Sequence, residues 1–165
     1  EYVNETNDST LVADCYMIMG DLLYKTGDSN AAFAAYDSCL HWNPAEVGCL
    51  NNYAYFLSLE NKRLDQAEQM SHTAVMAEPR NATYLDTYAW VLFKRGRYDE
   101  AKEFIDRALQ NDSVPGEDIL EHAGDIYALN GNIDQAVEYW KKAAETAPEF
   151  NVVLRKKIKK KKYIK

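Results

Sequence analysis

Three histidines, three cysteines and a surplus of carboxylates are the first places to look for chemistry in this 165-residue chain. His41, His72 and His122 stand apart, and none has an HxxxH or HxxE neighbour that would set two metal ligands on one helical turn. They read as satisfied or surface histidines. Cys15, Cys39 and Cys49 form no CxxC, and so odd and sparse a set argues against a zinc knuckle or a disulfide framework. Small buried thiols are the simplest reading, with a Cys39–Cys49 bridge as the alternative in an oxidising compartment. The pairs Asp86/Glu121 and Asp21/Asp125 could share protons if confined, but nothing around them marks a closed pocket, and they read as solvated. No GxxxxGK[ST] or GxGxxG phosphate loop occurs. Sequons at Asn4, Asn7, Asn81 and Asn111 are short enough to arise by chance. The sequence therefore assigns no catalytic, cofactor-binding or metal-binding residue and predicts a chain that is not an enzyme.

What remains is the chemistry of recognition. Leu85–Ala101 reads LDTYAWVLFKRGRYDEA, with Tyr88, Trp90 and Phe93 crowded together before Gly96. Such a cluster is either core or a surface for a partner. Charge adds a second signal. Residues 151–165 carry Arg155, Lys156, Lys157, Lys159, Lys160, Lys161, Lys162 and Lys165 and no acid, whereas residues 1–150 hold the 26 acidic residues against 11 basic ones. An acidic body with a basic tail repels nucleic acid through the body, and leaves membrane contact to the tail alone.

These groups need elements to position them, and the elements repeat. Taking Ala32, Ala67, Ala101 and Ala136 as landmarks, the spacing is 35, 34 and 35 residues. Seven residues on stand Cys39, Ala74, Ala108 and Ala143; twelve on stand Pro44, Pro79, Ser113 and Pro148. Gly27, Gly96 and Gly131 lie five residues before their landmarks, where a glycine can close a helix, and Asp28, Asp65, Asp99 and Asp134 stand at or near the start of the next one. Apolar residues recur at helical spacing before each glycine, as in Tyr16, Met19, Leu23 and Leu85, Tyr88, Leu92. Small residues on both helices, Gly20, Ala89 and Gly124 facing the landmark alanines, allow close approach. Tyr36 and Trp140, four residues past their alanines, fill the next gap.

This pattern resembles the tetratricopeptide repeat, with its 34-residue skeleton of small and bulky residues, and its wording is similar to bacterial members. The resemblance covers four repeats, residues 13–46, 47–81, 82–116 and 117–150, the second departing most through Ala54 and Ser71. It implies an all-α fold, a right-handed α-solenoid of four helix-turn-helix repeats. Residues 1–12 are expected to be a polar connection, and 151–165 a basic capping helix and tail on which Val153, Leu154 and Ile158 pack against the last repeat.

The resemblance also implies a function: a scaffold that holds a protein segment in a groove lined by the first helix of each pair. By repeat register that face comprises Asp14, Met17, Asp21, Tyr24 and Lys25; Asn51, Tyr55 and Ser58; Thr83, Asp86, Trp90, Phe93 and Lys94; and Asp118, Glu121, Asp125 and Ala128. A face so acidic and aromatic should take a basic or neutral segment with apolar anchors and reject an acidic one. The alternative is a module recruited by its tail, Arg155–Lys165, to a membrane surface, nucleic acid or a second copy of itself. The chain contains no run of 18 or more apolar residues, and with neither an initiator Met nor a signal-like start it is expected to be a mature form or fragment. The bacterial wording implies cytoplasm or cell envelope; neither the partner nor the oligomeric state can be read from the residues.

Overall fold

The computed structural model describes residues 2–146 and 151–165, with side chains from residue 8 onward. Among the described residues there are nine α-helices and no strand: α1 (Tyr2–Lys25), α2 (Ser29–Trp42), α3 (Val47–Leu59), α4 (Leu64–Ala77), α5 (Ala82–Lys94), α6 (Tyr98–Asn111), α7 (Glu117–Leu129), α8 (Ile133–Thr146) and α9 (Val152–Lys160). They form two compact units, Glu1–Ala77 with α1 to α4 and Glu78–Lys165 with α5 to α9. In each, consecutive helices pair as hairpins, α1 with α2, α3 with α4, α5 with α6 and α7 with α8.

The hairpins close by the predicted turn chemistry. Gly27, Gly96 and Gly131 take positive φ angles of 91°, 79° and 79°, a region that costs a side-chain-bearing residue energy. The amides that follow reach back to carbonyls five residues earlier: Asp28 to Leu23, Arg97 to Leu92 and Asn132 to Tyr127, which satisfies the helix ends. The second repeat has no glycine there; Asn61, with φ 52°, takes the same place, and Lys62 donates to Leu57. Asparagine tolerates this conformation better than other side-chain residues. Asp28 caps α2 through a 3.0 Å bond from the Ala31 amide, while Asp65, Asp99 and Asp134 lie in the first turns of α4, α6 and α8.

Helix-to-helix packing follows the small residues. A methyl group on Gly20 would fall 2.7 Å from the Tyr36 ring, and one on Gly124 would fall 2.3 Å from Trp140. Each glycine is thus a seat for the large ring on the second helix of its pair. Ala32, Ala67, Ala101 and Ala136 are fully buried. In the second unit Leu120, Ala136, Val137, Trp140, Ala143 and Leu154 form one core cluster, with Ile158 packed against it.

Residues 2–12, expected as a polar connection, are helical, since α1 runs from Tyr2; no proline or glycine interrupts the sequence before Gly20. Of the α9 anchors, Leu154 is buried and Ile158 partly so, but Val153 stays 43% exposed. Cys39 and Cys49 are buried free thiols and not a bridge, and Cys15 is exposed. Burial raises both buried thiols above the usual range, Cys49 the further, which favours the protonated form. Pro148, the expected end of the last repeat, lies outside the described residues, as do the side chains of the sequon residues Asn4 and Asn7. The other two sequon asparagines are structural: Asn81 caps α5 through the amides of Thr83 and Tyr84, and Asn111 donates to the Arg107 carbonyl.

Candidate functional site

In the first unit the expected face is largely consumed by packing. Met17 lies over Gly48 of α3. Asp21 accepts hydrogen bonds from the Tyr36 hydroxyl and from Asn52 Nδ2 at 3.1 Å, so it ties α1 to α2 and α3. Tyr24 stacks on Phe56 at 3.9 Å between centroids. Asn51 is buried and donates to Asn52 Oδ1, whereas Asp14 and Tyr55 are half-buried.

The second unit brings its predicted residues together. Asp86, Trp90 and Phe93 on α5 stand against Glu121, His122 and Asp125 on α7. His122 Nδ1 lies 2.9 and 3.1 Å from the two oxygens of the Asp86 carboxylate. The imidazole stacks on Trp90 at 4.0 Å, and Trp90 stacks on Phe93 at 4.7 Å. The Lys94 ammonium sits 5.4 Å from the Trp90 ring centre, within cation–π range.

Residues 151–165 complete this cluster. Lys157 Nζ lies 2.7 Å from Glu121 Oε1 and 2.7 Å from the Asp125 carboxylate, and only 3% of Lys157 is exposed. Asp125 also accepts a 2.9 Å bond from Trp140 Nε1. Asn151 caps α9 through the Leu154 amide and donates to Glu121 Oε2 at 3.3 Å. Tyr163 meets the edge of Phe93 at 5.5 Å, with the Lys157 ammonium 5.6 Å from its ring centre. The other tail cations, Arg155, Lys156, Lys159, Lys160, Lys161, Lys162 and Lys165, are exposed.

This geometry corrects two expectations. Asp86 and Asp125 are not solvated; both are buried, Asp86 against His122 and Asp125 against Lys157 and Trp140. Trp90 is not an open groove residue, since it is 7% exposed beneath His122 and Phe93. Its indole nitrogen is buried without an acceptor among the described residues, a donor left unused at a cost of about 1–3 kcal/mol. The exposed members of the face in this unit are Thr83 and Asp118, with Lys94, Glu121 and Ala128 half-buried. Among the described residues no group of three or more His, Cys, Asp and Glu is placed to hold a metal ion, and no helix is long and apolar enough to cross a membrane.

Electrostatics at the cluster follow its burial. Burial opposes charge on His122, but the Asp86 carboxylate against it, with Asp125 and Asp118 behind, outweighs that and raises its pKa above the usual 6.5. A histidine with a raised folded pKa contributes stability that is full below its unfolded pKa and is lost as pH rises through the folded one. The second unit is therefore expected to lose stability as pH rises above about 6.5, and a His122→Gln variant to lose less of it. Thermal melts of both chains across that rise check this. Burial also pushes the Asp125 carboxyl upward, against the pull of Lys157 and Trp140.

Sequence models of the tetratricopeptide repeat match residues 13–46, 58–115 and 118–150. The chain belongs to the tetratricopeptide repeat family. Its fold is accordingly that of a protein–protein interaction scaffold. Solved structures agree on the fold. PilF of Pseudomonas aeruginosa superposes with a TM-score of 0.71 at 22% identity, over 84% of this chain and 63% of PilF, so the chain spans less than two thirds of that protein. MamA of Desulfovibrio magneticus gives 0.67 at 19% identity over 81% of this chain and 75% of the MamA fragment. YrrB, described as a TPR protein with an unusual peptide-binding site, gives 0.61 at 20% identity over 81% and 68%. No curated protein sequence matches.

The tetratricopeptide register located Asp86, Trp90, Phe93, Glu121 and Asp125, but not three of their companions. His122 has no ligand-spaced neighbour in the sequence, yet it sits next to Glu121 and joins α7 to α5. Asn151 and Tyr163 follow the last repeat, where no register places them. Tyr163 was the one signal available, as the sole aromatic among the tail lysines.

Proposed function

We propose that the chain is a non-catalytic scaffold that binds a protein segment through the acidic and aromatic first-helix face, the segment being basic or neutral with apolar anchors. The observation that carries this reading is chemical. On α5 and α7, two carboxylates converge on one ammonium, and an aromatic ring meets another ring one helix away, so the face is suited to lysine and to aromatic side chains. A cation placed there is desolvated and doubly paired, and an acidic side chain in the same place would add a third carboxylate with no cation between them. YrrB, similar in fold, is described as having an unusual peptide-binding site, which is in keeping with this reading.

The alternative, recruitment through the tail, draws its support from the six exposed cations of residues 155–162. An anionic membrane surface is the counterpart such a strip fits, at about 1 kcal/mol per residue near the surface.

Selection from a random peptide-display library tests the first reading. Wild type is expected to enrich segments carrying lysine or arginine together with aromatic or aliphatic residues. Glu121→Lys, at a half-buried position, and the Trp90→Ala/Asp86→Lys double variant are expected to lose that enrichment at least tenfold. Enrichment of acidic segments, or the same pool from all three chains, contradicts it.

A further inference from the structure

The C-terminal segment does two separable jobs, and only one of them is capping. Leu154 and Ile158 join the apolar cluster of α7 and α8, which is all that a terminal cap needs. Lys157 and Tyr163 instead lie on the acidic and aromatic face, on Glu121, Asp125 and Phe93. Burying a lysine on two carboxylates is a poor way to gain stability, because desolvation offsets most of the attraction. It is a good way to occupy a site specifically.

The backbone shows how the segment returns to the face. α9 stops at Lys161, which takes φ 48° and ψ 48°, a left-handed conformation that disfavours a lysine. The Lys162 amide closes the turn on the Lys157 carbonyl. This reversal carries the chain from Lys157 to Tyr163 on Phe93 of α5, and Lys165 ends close enough to Lys94 to lower its pKa, after burial.

We propose that residues 157–165 are a resident ligand of this face, and that a partner binds by displacing them with a segment of the same chemistry: a lysine followed, six residues on, by an aromatic residue. The proposal rests on the reading of this face as the binding site. A tethered occupant acts at an effective concentration in the millimolar range, so it weakens any competitor by a large factor without altering the site itself.

The probe is a labelled peptide with the sequence of residues 152–165, titrated onto three full-length chains and followed by fluorescence anisotropy. The chains are wild type, Tyr163→Ala and Lys157→Ala/Tyr163→Ala. The last keeps Leu154 and Ile158, and far-UV dichroism confirms that it is folded; Tyr163→Ala alone alters one half-buried side chain and serves if it is not. The peptide is expected to bind the double variant at least tenfold more tightly than wild type, with Tyr163→Ala between them, and to lose that gain when Glu121→Lys is added. Equal affinity for all three chains, still abolished by Glu121→Lys, overturns displacement and leaves the binding face intact. Absence of binding to any of them overturns the lysine–aromatic partner class. The face as a binding site then stands or falls by the display selection alone.

Discussion

Replacing Trp140 with alanine is expected to destabilise the second unit by about 3–5 kcal/mol, the cost of emptying a fully buried indole site. Two losses add up there. The ring fills the seat left by Gly124, where even a methyl group would fall 2.3 Å from it, so its removal leaves a cavity between α7 and α8. The indole N–H also donates to Asp125, and that carboxylate then keeps Lys157 as its remaining partner. Trp140→Phe separates the two, keeping most of the volume and losing the donor, and is expected to cost about 1–3 kcal/mol. Gly124→Ala attacks the same seat from the other side, at about 1–3 kcal/mol of overpacking. Because they share one seat, Gly124→Ala and Trp140→Ala are expected to be far from additive. Hydrogen exchange of the full chain reads these effects, with amides of α7 and α8 losing protection and those of α2 unchanged. Equal loss in α2 would contradict the assignment of this seat to one unit.

Replacing Lys157 with methionine is the second large change, at about 3–5 kcal/mol for a broken buried pair. The figure has a ceiling. Once the loss exceeds the free energy that holds the C-terminal segment on its face, the segment lifts off and water reaches Glu121 and Asp125. A variant limited in this way unfolds no further, so α5 to α8 remain protected while the α9 amides exchange freely. The sign with pH is fixed by Asp125. Its carboxyl is already raised by burial, and removing Lys157 raises it further. A raised folded pKa means stability is present at low pH and lost as pH rises through that pKa. The deficit of Lys157→Met relative to wild type should therefore shrink on acidification, because a protonated Asp125 needs no ammonium. Melts from about pH 4 to pH 7 check this. A deficit constant across that range would contradict the pairing of Lys157 with Asp125 as its source.

Periodicity made the hairpins readable before any coordinates. A residue that must sit under a neighbouring ring, such as Gly20 or Gly124, recurs at the repeat spacing because each hairpin meets the same packing problem. The same holds for Gly27, Gly96 and Gly131 at the turns. Asn61 escaped because a second residue type solves that turn, and the extra loop residue hid its alignment. At the candidate site the register brought Asp86, Trp90, Phe93, Glu121 and Asp125 to one face, since those positions are set by the helices that bear them. Their burial was not readable. It depends on His122, which bridges two repeats, and on Lys157 and Tyr163, which lie beyond the last repeat where no period constrains them. The charge of the tail was plain from composition, but which of its lysines would fold back, and onto what, required the turn at Lys161.

Photo-crosslinking shows whether partners meet the first-helix face of α5 and α7, using the basic, apolar-anchored segments recovered by selection. A photoreactive residue is placed at Thr83 or Asp118, both exposed on first helices, and for comparison at Glu103 or Glu138, both exposed on second helices. Crosslinks are expected from Thr83 and Asp118, and none above background from Glu103 and Glu138. Crosslinking confined to Glu103 or Glu138 would contradict this.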